Sequence, residues 1–191
     1  INGGDLDLTA NDDGIYAADG SSSESALGQA TACGSLIITG GKVKVNAQGD
    51  VLDSNGDLTI SGGEVYVDGP TNGGNGALDY DGNGTITGGT VVMVGSNGMA
   101  MGFGSNSKQA SILTNVSGNA GAKVTISDSS GKEILSYTAA KNFQSVLASS
   151  AAIKDGKSYT ITVNGQSTTA TASLTTQNGN GMGGGPGVRS R

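Results

Sequence analysis

Histidine and tryptophan are absent from this 191-residue chain, cysteine occurs once, proline twice, and the aromatic residues amount to five tyrosines and two phenylalanines. Without histidine or paired cysteine, sites for zinc, copper or iron lack their usual ligands. The lone Cys33 allows no intramolecular disulfide and leaves the redox compartment unread. No apolar run is long enough to span a membrane and no signal peptide is recognisable. Because the chain opens on Ile1 inside a repeat, it reads as a mature form or a fragment. Helix formers are scarce through the first two thirds, which argues against helical classes.

What is abundant is glycine, 35 residues of it, with many Ser, Thr, Asn and Asp between short runs containing Val, Ile and Thr. That mixture predicts short strands joined by tight turns. The net charge of -6 is unevenly spread. Residues 1–90 carry thirteen of the sixteen acids against Lys42 and Lys44, whereas the remainder carries three acids and eight bases. An acidic half of this kind repels nucleic acid and suits cations or cation-bridged anions.

An eight-residue pattern recurs: "INGGDLDL" from Ile1, "ITGGKVKV" from Ile38, "ISGGEVYV" from Ile60 and "ITGGTVVM" from Ile86, with starts 37, 22 and 26 residues apart. The first interval matches the others if a surface insertion occupies residues 20–35. Aligned, the repeats form inward columns: Leu6, Val43, Val65, Val91; Leu8, Val45, Val67, Met93; Ile1, Ile38, Ile60, Ile86; and Ile15, Leu52, Leu78, Met99. Outward columns bring together Asp5, Lys42, Glu64 and Thr90, and beside them Asp7, Lys44, Tyr66 and Val92. A unit of about 22 residues with glycine corners has the size of one turn of a parallel β-helix. The expected fold is therefore all-β, a parallel β-helix solenoid over residues 1–110. An antiparallel β cap or small sandwich-like module is expected over 111–175, where hairpins are predicted around Asp128–Gly131 and Asn164–Gly165. A flexible Gly-rich tail is expected over 176–191.

The acids align as well. "DSNGD" of one repeat and "DYDGN" of the next place Asp53 beside Asp79, Asn55 beside Asp81 and Asp57 beside Asn83. Neighbouring strands lie about 4.8 Å apart, so these carboxylates repel unless a raised pKa, a basic partner or a cation relieves them. Neither Arg nor His occurs before residue 106, so a hard cation, calcium, is the economical expectation. The spacing resembles half of an EF-hand loop, without its terminal Glu or flanking helices. A second cluster is expected from Asp12 and Asp13 with Asp50. Asp and Asn are also ordinary turn residues, which supplies a purely structural alternative. Two glycosylation sequons, at Asn83 and Asn115, carry little weight.

The run "GDVLDSNGDLTISGGEVYVDGPTNGGNGALDYDGNGTITGG", with "GSNGMAMG" and "YTITVNG", resembles the bacterial extracellular carbohydrate-binding β-helix proteins, once catalogued as a domain of unknown function. "GALDYDG" and "LDSNG" are the most specific parts of the likeness. The resemblance implies a right-handed β-helix of the polysaccharide-lyase type, calcium on acidic loops, and non-catalytic binding of plant cell-wall polymers such as cellulose or polygalacturonate. It carries family acids to Asp13, Asp50, Asp53, Asp79 and Asp81, while Val51 and Ala100 depart from the family pattern. The leading expectation is a secreted or cell-surface, bacterial, calcium-binding polysaccharide-binding protein. Tyr66 and Tyr80 are candidate sugar-stacking rings, with Lys44 as a basic contact. Two alternatives stand beside it. One is a pectate-lyase-like enzyme using calcium with Lys42 or Lys44 as base; the other is an end-to-end homo-oligomer forming a surface filament.

Overall fold

The computed structural model describes residues 1–18 and 34–176. The expected insertion at 20–35, apart from its last two residues, Cys33, and all but the first residue of the expected tail lie outside the described residues. The described residues are all-β, and no helix is long and apolar enough to cross a membrane.

Each of the first repeats supplies three strands, one to each of three sheets in which successive repeats pair parallel. β1 (Asn2–Ala10), β4 (Gly40–Ala47), β7 (Glu64–Asp68) and β10 (Thr90–Gly95) form the first in that order. β2 (Ile15–Ala17), β5 (Leu52–Ser54) and β8 (Leu78–Tyr80) form the second, and β3 (Ser35–Ile38), β6 (Asp57–Ile60) and β9 (Gly84–Ile86) the third. Their registers follow the sequence columns: Leu6 pairs Val43, Val43 pairs Val65 and Val65 pairs Val91. Ile15, Leu52 and Leu78 align, as do Ile38, Ile60 and Ile86. Period-2 alternation turns the apolar side chains of the inner repeats to one shared core, in which Val43, Leu52, Ile60 and Val65 are fully buried, whereas Leu6 and Ile1, expected in the same columns, are 37% and 40% exposed. The second glycine of each Gly-Gly pair has positive φ, 85° at Gly41 and at Gly63, which a side chain would resist.

The expectation of a right-handed parallel β-helix closed by a separate antiparallel cap is corrected by the sheet topology, which shows no continuous solenoid among the described residues. The strands of the described residues fall into four sheets, and the largest is mixed: β14 (Phe143–Ser149) and β11 (Ser111–Gly118) extend the β1-β4-β7-β10 order antiparallel. The physical reason lies in β14, whose residues 145–149 are buried on both faces. Leu147 packs into the first core, while Val146 and Ala148 pack into a second. A strand apolar on both sides completes a sheet interior better than it caps an end. The second core lies under a four-stranded antiparallel sheet in the order β13 (Glu133–Thr138), β12 (Lys123–Ser127), β15 (Ser158–Val163), β16 (Gln166–Thr171). Its two predicted hairpins form, and the Asn164–Gly165 turn has positive φ at both residues.

The fourth member of one predicted column does not join it. Met99 is 45% exposed, and the chain from Ser96 to Ala110 makes no strand. Fully buried Phe103 closes the first core instead, while Gly104 and Lys108 donate backbone hydrogen bonds to Gly84 and Ile86. The free edge of β9 is thus met by loop backbone.

Candidate functional site

The acids gather where the turns after β1 and β4 pass into β2 and β5. Asp13 Oδ1 accepts the Asp50 N–H at 2.9 Å, and Asp50 Oδ1 accepts the Gly76 N–H at 2.6 Å. Each carboxylate therefore holds the corresponding loop of the following repeat. A side chain at Gly49 would collide with the Asp13 carboxylate, so the glycine there is needed for this approach. At the other end of the short strands, Asp57 Oδ1 accepts the Asn83 N–H at 2.8 Å and its Nδ2–H at 3.2 Å. Asp13, Asp50 and Asp57 thus act as turn caps, the structural alternative that the sequence had left open.

Asp53 and Asp79 are different. They sit at the centres of β5 and β8, paired in register, half-buried, with Tyr16 of β2 next in the same row. The Asp53 carboxyl is pushed up from 3.8 to about 6, first by burial and then by the charges of Asp79, Asp13, Asp50 and Asp81. Asp79 is also raised, by burial first and by Asp50 next, against an opposing backbone hydrogen bond at Tyr80. No basic group contributes to either shift. The bases of the first half stand on another sheet: Lys42 and Lys44 are in β4, and Lys44 Nζ pairs with Asp7 Oδ2 at 3.5 Å.

The remaining candidates divide. Asn55 Nδ2 donates to the Tyr16 hydroxyl at 2.7 Å, tying the far end of β5 to β2. Asp12 and Asp81 are exposed. Among the described residues no group of three or more Asp, Glu, His or Cys side chains is arranged to hold a metal ion. The Asp53 and Asp79 pair therefore offers carboxylate oxygens and concentrated negative charge, both suited to a hard cation, with further donors to come from water or a bound anion.

The tyrosines expected to stack on sugars are otherwise engaged. Tyr80 is buried, 5% exposed, with its hydroxyl donating to the Gly102 carbonyl at 2.6 Å, and burial pushes its pKa up to about 12. Its ring lies where a side chain at Gly84 would be, so it belongs to the core and not to a binding surface. The alternation that turned Asp79 outward turned Tyr80 inward. Tyr66 does project outward, but Tyr137 of β13 stacks on it, centroids 5.5 Å apart and planes within 6°. That ring face is unavailable to a sugar. Tyr137 also donates to Asp68 Oδ2 at 2.6 Å, and the Ala140 N–H donates to Asp68 Oδ1 at 2.8 Å. Tyr16, 54% exposed beside Asp53, is the open ring of the site. The Ile15, Leu52, Leu78 column already held the signal for it, because the residue after Ile15 must share the outward row with Asp53 and Asp79.

Comparison of the chain with family models, with curated proteins and with solved structures returned no match.

Proposed function

We propose that this chain is an extracellular or cell-surface, non-catalytic polysaccharide-binding protein that recognises acidic glycan through calcium. The observation that carries the reading is the in-register Asp53 and Asp79 pair, held half-buried with raised pKa values and no cationic neighbour. Such a pair binds a divalent cation favourably because the cation removes the repulsion that burial and neighbouring acids create. Bound calcium supplies open coordination positions that take carboxylate oxygens of a uronate polymer, reconciling an acidic protein with an acidic ligand. Asp53 and Asp79 would hold the ion, while Asp13, Asp50 and Asp81 add to the local negative field. Tyr16 presents an exposed ring in the same row, suited to packing against a sugar face. The resemblance of "LDSNG" and "GALDYDG" to the carbohydrate-binding family supports the same reading.

Calorimetric calcium titration of the wild type, Asp53→Asn and Asp79→Asn, each with and without oligogalacturonate, tests it. Calcium affinity is expected to fall at least about tenfold in either variant, and oligogalacturonate binding to vanish with EDTA. Unchanged calcium affinity in both variants would remove the assignment.

A further inference from the structure

The mixed sheet ends in a cleft that the acidic site does not use. β7 and β10 stop at Asp68 and Gly95, β14 begins at Phe143 and β11 runs out at Gly118, all at one end of the sheet. The turn between β15 and β16 reaches the same place through Asn164, and a cleft of about 400 Å³ opens among these segments.

Its walls are set by backbone. The Ser96 N–H donates to the Pro70 carbonyl at 2.8 Å, which fixes the chain at Thr71 beside it. The pairing of β11 with β14 shifts register between Asn115 and Gly118, and a Cβ on Gly118 would lie 2.4 Å from the Phe143 ring. That shift brings Ser117 and Asn119 to the same cleft as Asn142 and Gln144. Asn142 Oδ1 accepts the Ala120 N–H at 2.8 Å, which anchors its amide and leaves the Nδ2 donors for the cleft.

No Asp, Glu, Lys or Arg is among the described residues that line it. Asn119, Gln144 and Asn164 are exposed there, so three further carboxamides are open to a guest. Ser96 lies deeper, 2% exposed, with its Oγ accepting the Gly98 N–H at 3.1 Å and its hydroxyl proton given to no described residue. An ion would find no counter-charge in such a lining. An apolar guest would take the amides out of water without replacing their hydrogen bonds. A hydroxyl both donates and accepts, as each carboxamide does. Phe143 is 3% exposed and shows the cleft too little ring for stacking, so recognition rests on hydrogen bonds.

We propose that this cleft is a second binding site, one that takes an uncharged saccharide on the amides of Asn119, Asn142, Gln144 and Asn164 without calcium. Its volume, at the lower end for small-molecule sites, suits about one or two sugar rings. It shares no residue with the Asp53 and Asp79 pair and stands whether or not that pair holds a cation.

Amide NMR of the whole chain in EDTA, titrated in turn with the β-1,4-linked tetrasaccharides of glucose, mannose, galactose and xylose, tests it. Saturable shifts with at least one of these sugars are expected, centred on Ser96, Ser117, Asn119, Asn142 and Gln144 and including side-chain amide signals. Gln144→Ala and Asn119→Ala are each expected to keep the wild-type melting temperature and to weaken binding at least about fivefold. Asp53→Asn is expected to bind the same sugar as wild type, which separates this site from the acidic one. Absence of saturable shifts with all of the sugars, shifts centred elsewhere, or wild-type affinity in both alanine variants would overturn the proposal. So would loss of the sugar in Asp53→Asn, which would reassign it to the acidic site.

Discussion

The carboxyl group of Asp53 is the most perturbed acid of the site, and its causes make it a reporter of the whole cluster. Its pKa of about 6 is first a consequence of burial and next of Asp79. A carbon-detected NMR titration is expected to show that midpoint, and Asp79→Asn is expected to move it down toward the ordinary 3.8. The sign for stability follows from the raised value. Folding favours the protonated form, so the contribution is fully present below about pH 4 and is lost as pH rises through about 6. Solvent screening of this half-buried group holds the effect to about 1 kcal/mol. Asp53→Asn is therefore expected to be more stable than wild type at pH 7.5 in EDTA and equal to it at pH 4, as judged by urea denaturation. A variant less stable than wild type at pH 7.5 would show that the Asp53 charge is favourably partnered. Calcium binding should narrow the difference, because the cation relieves the same repulsion.

At the level of elements, the repeat works because consecutive strands are in register and their connecting glycines let backbones pass closely. Leu52 lies between Ile15 and Leu78 and is fully buried in the first core. Leu52→Ala is expected to cost about 3 kcal/mol in denaturant unfolding. Gly62→Ala tests the other half of the argument. Its added methyl would meet the Thr39 carbonyl, which is backbone and cannot swing aside, so a loss of about 2 kcal/mol is expected. A neutral result would mean that the turn between β6 and β7 shifts freely. Much of this level was readable from the chain, because a column of apolar residues at fixed offset from Gly-Gly specifies both the face and the register. Tyr80 shows the limit: "DYDG" advertised a ring beside two acids, and the same alternation that exposes Asp79 buries the ring against Gly84.

At the scale of the whole molecule, the two cores are joined through β14 and through a polar clasp on the outer face of the long sheet. Asp68 is fully buried there, held by the Tyr137 hydroxyl and the Ala140 N–H. Burial and Asp68 both raise the Tyr137 pKa, keeping its proton in place as donor. Lys141 donates to the Ala47 carbonyl nearby, and burial lowers its pKa. Tyr137→Phe leaves the ring stacked on Tyr66 but removes one donor from a buried carboxylate, with an expected loss of about 2 kcal/mol. Asp68→Asn in the same background is expected to recover part of that loss, since the neutral amide is easier to bury. Denaturation of the single and double variants measures both.

By itself the sequence determined the all-β character, the parallel register of the first repeats, the two late hairpins and the pairing of Asp53 with Asp79. All of these follow from local periodicity, glycine position and turn chemistry, which act within a repeat or between adjacent ones. Only the tertiary structure decided that β14 and β11 complete the long sheet antiparallel, that Phe103 and loop backbone close the first core, and that Tyr137 covers Tyr66. Those outcomes depend on which of several apolar faces meet across long stretches of chain. Alternation tells a strand which side to bury and leaves the identity of its partner to the packing of the whole.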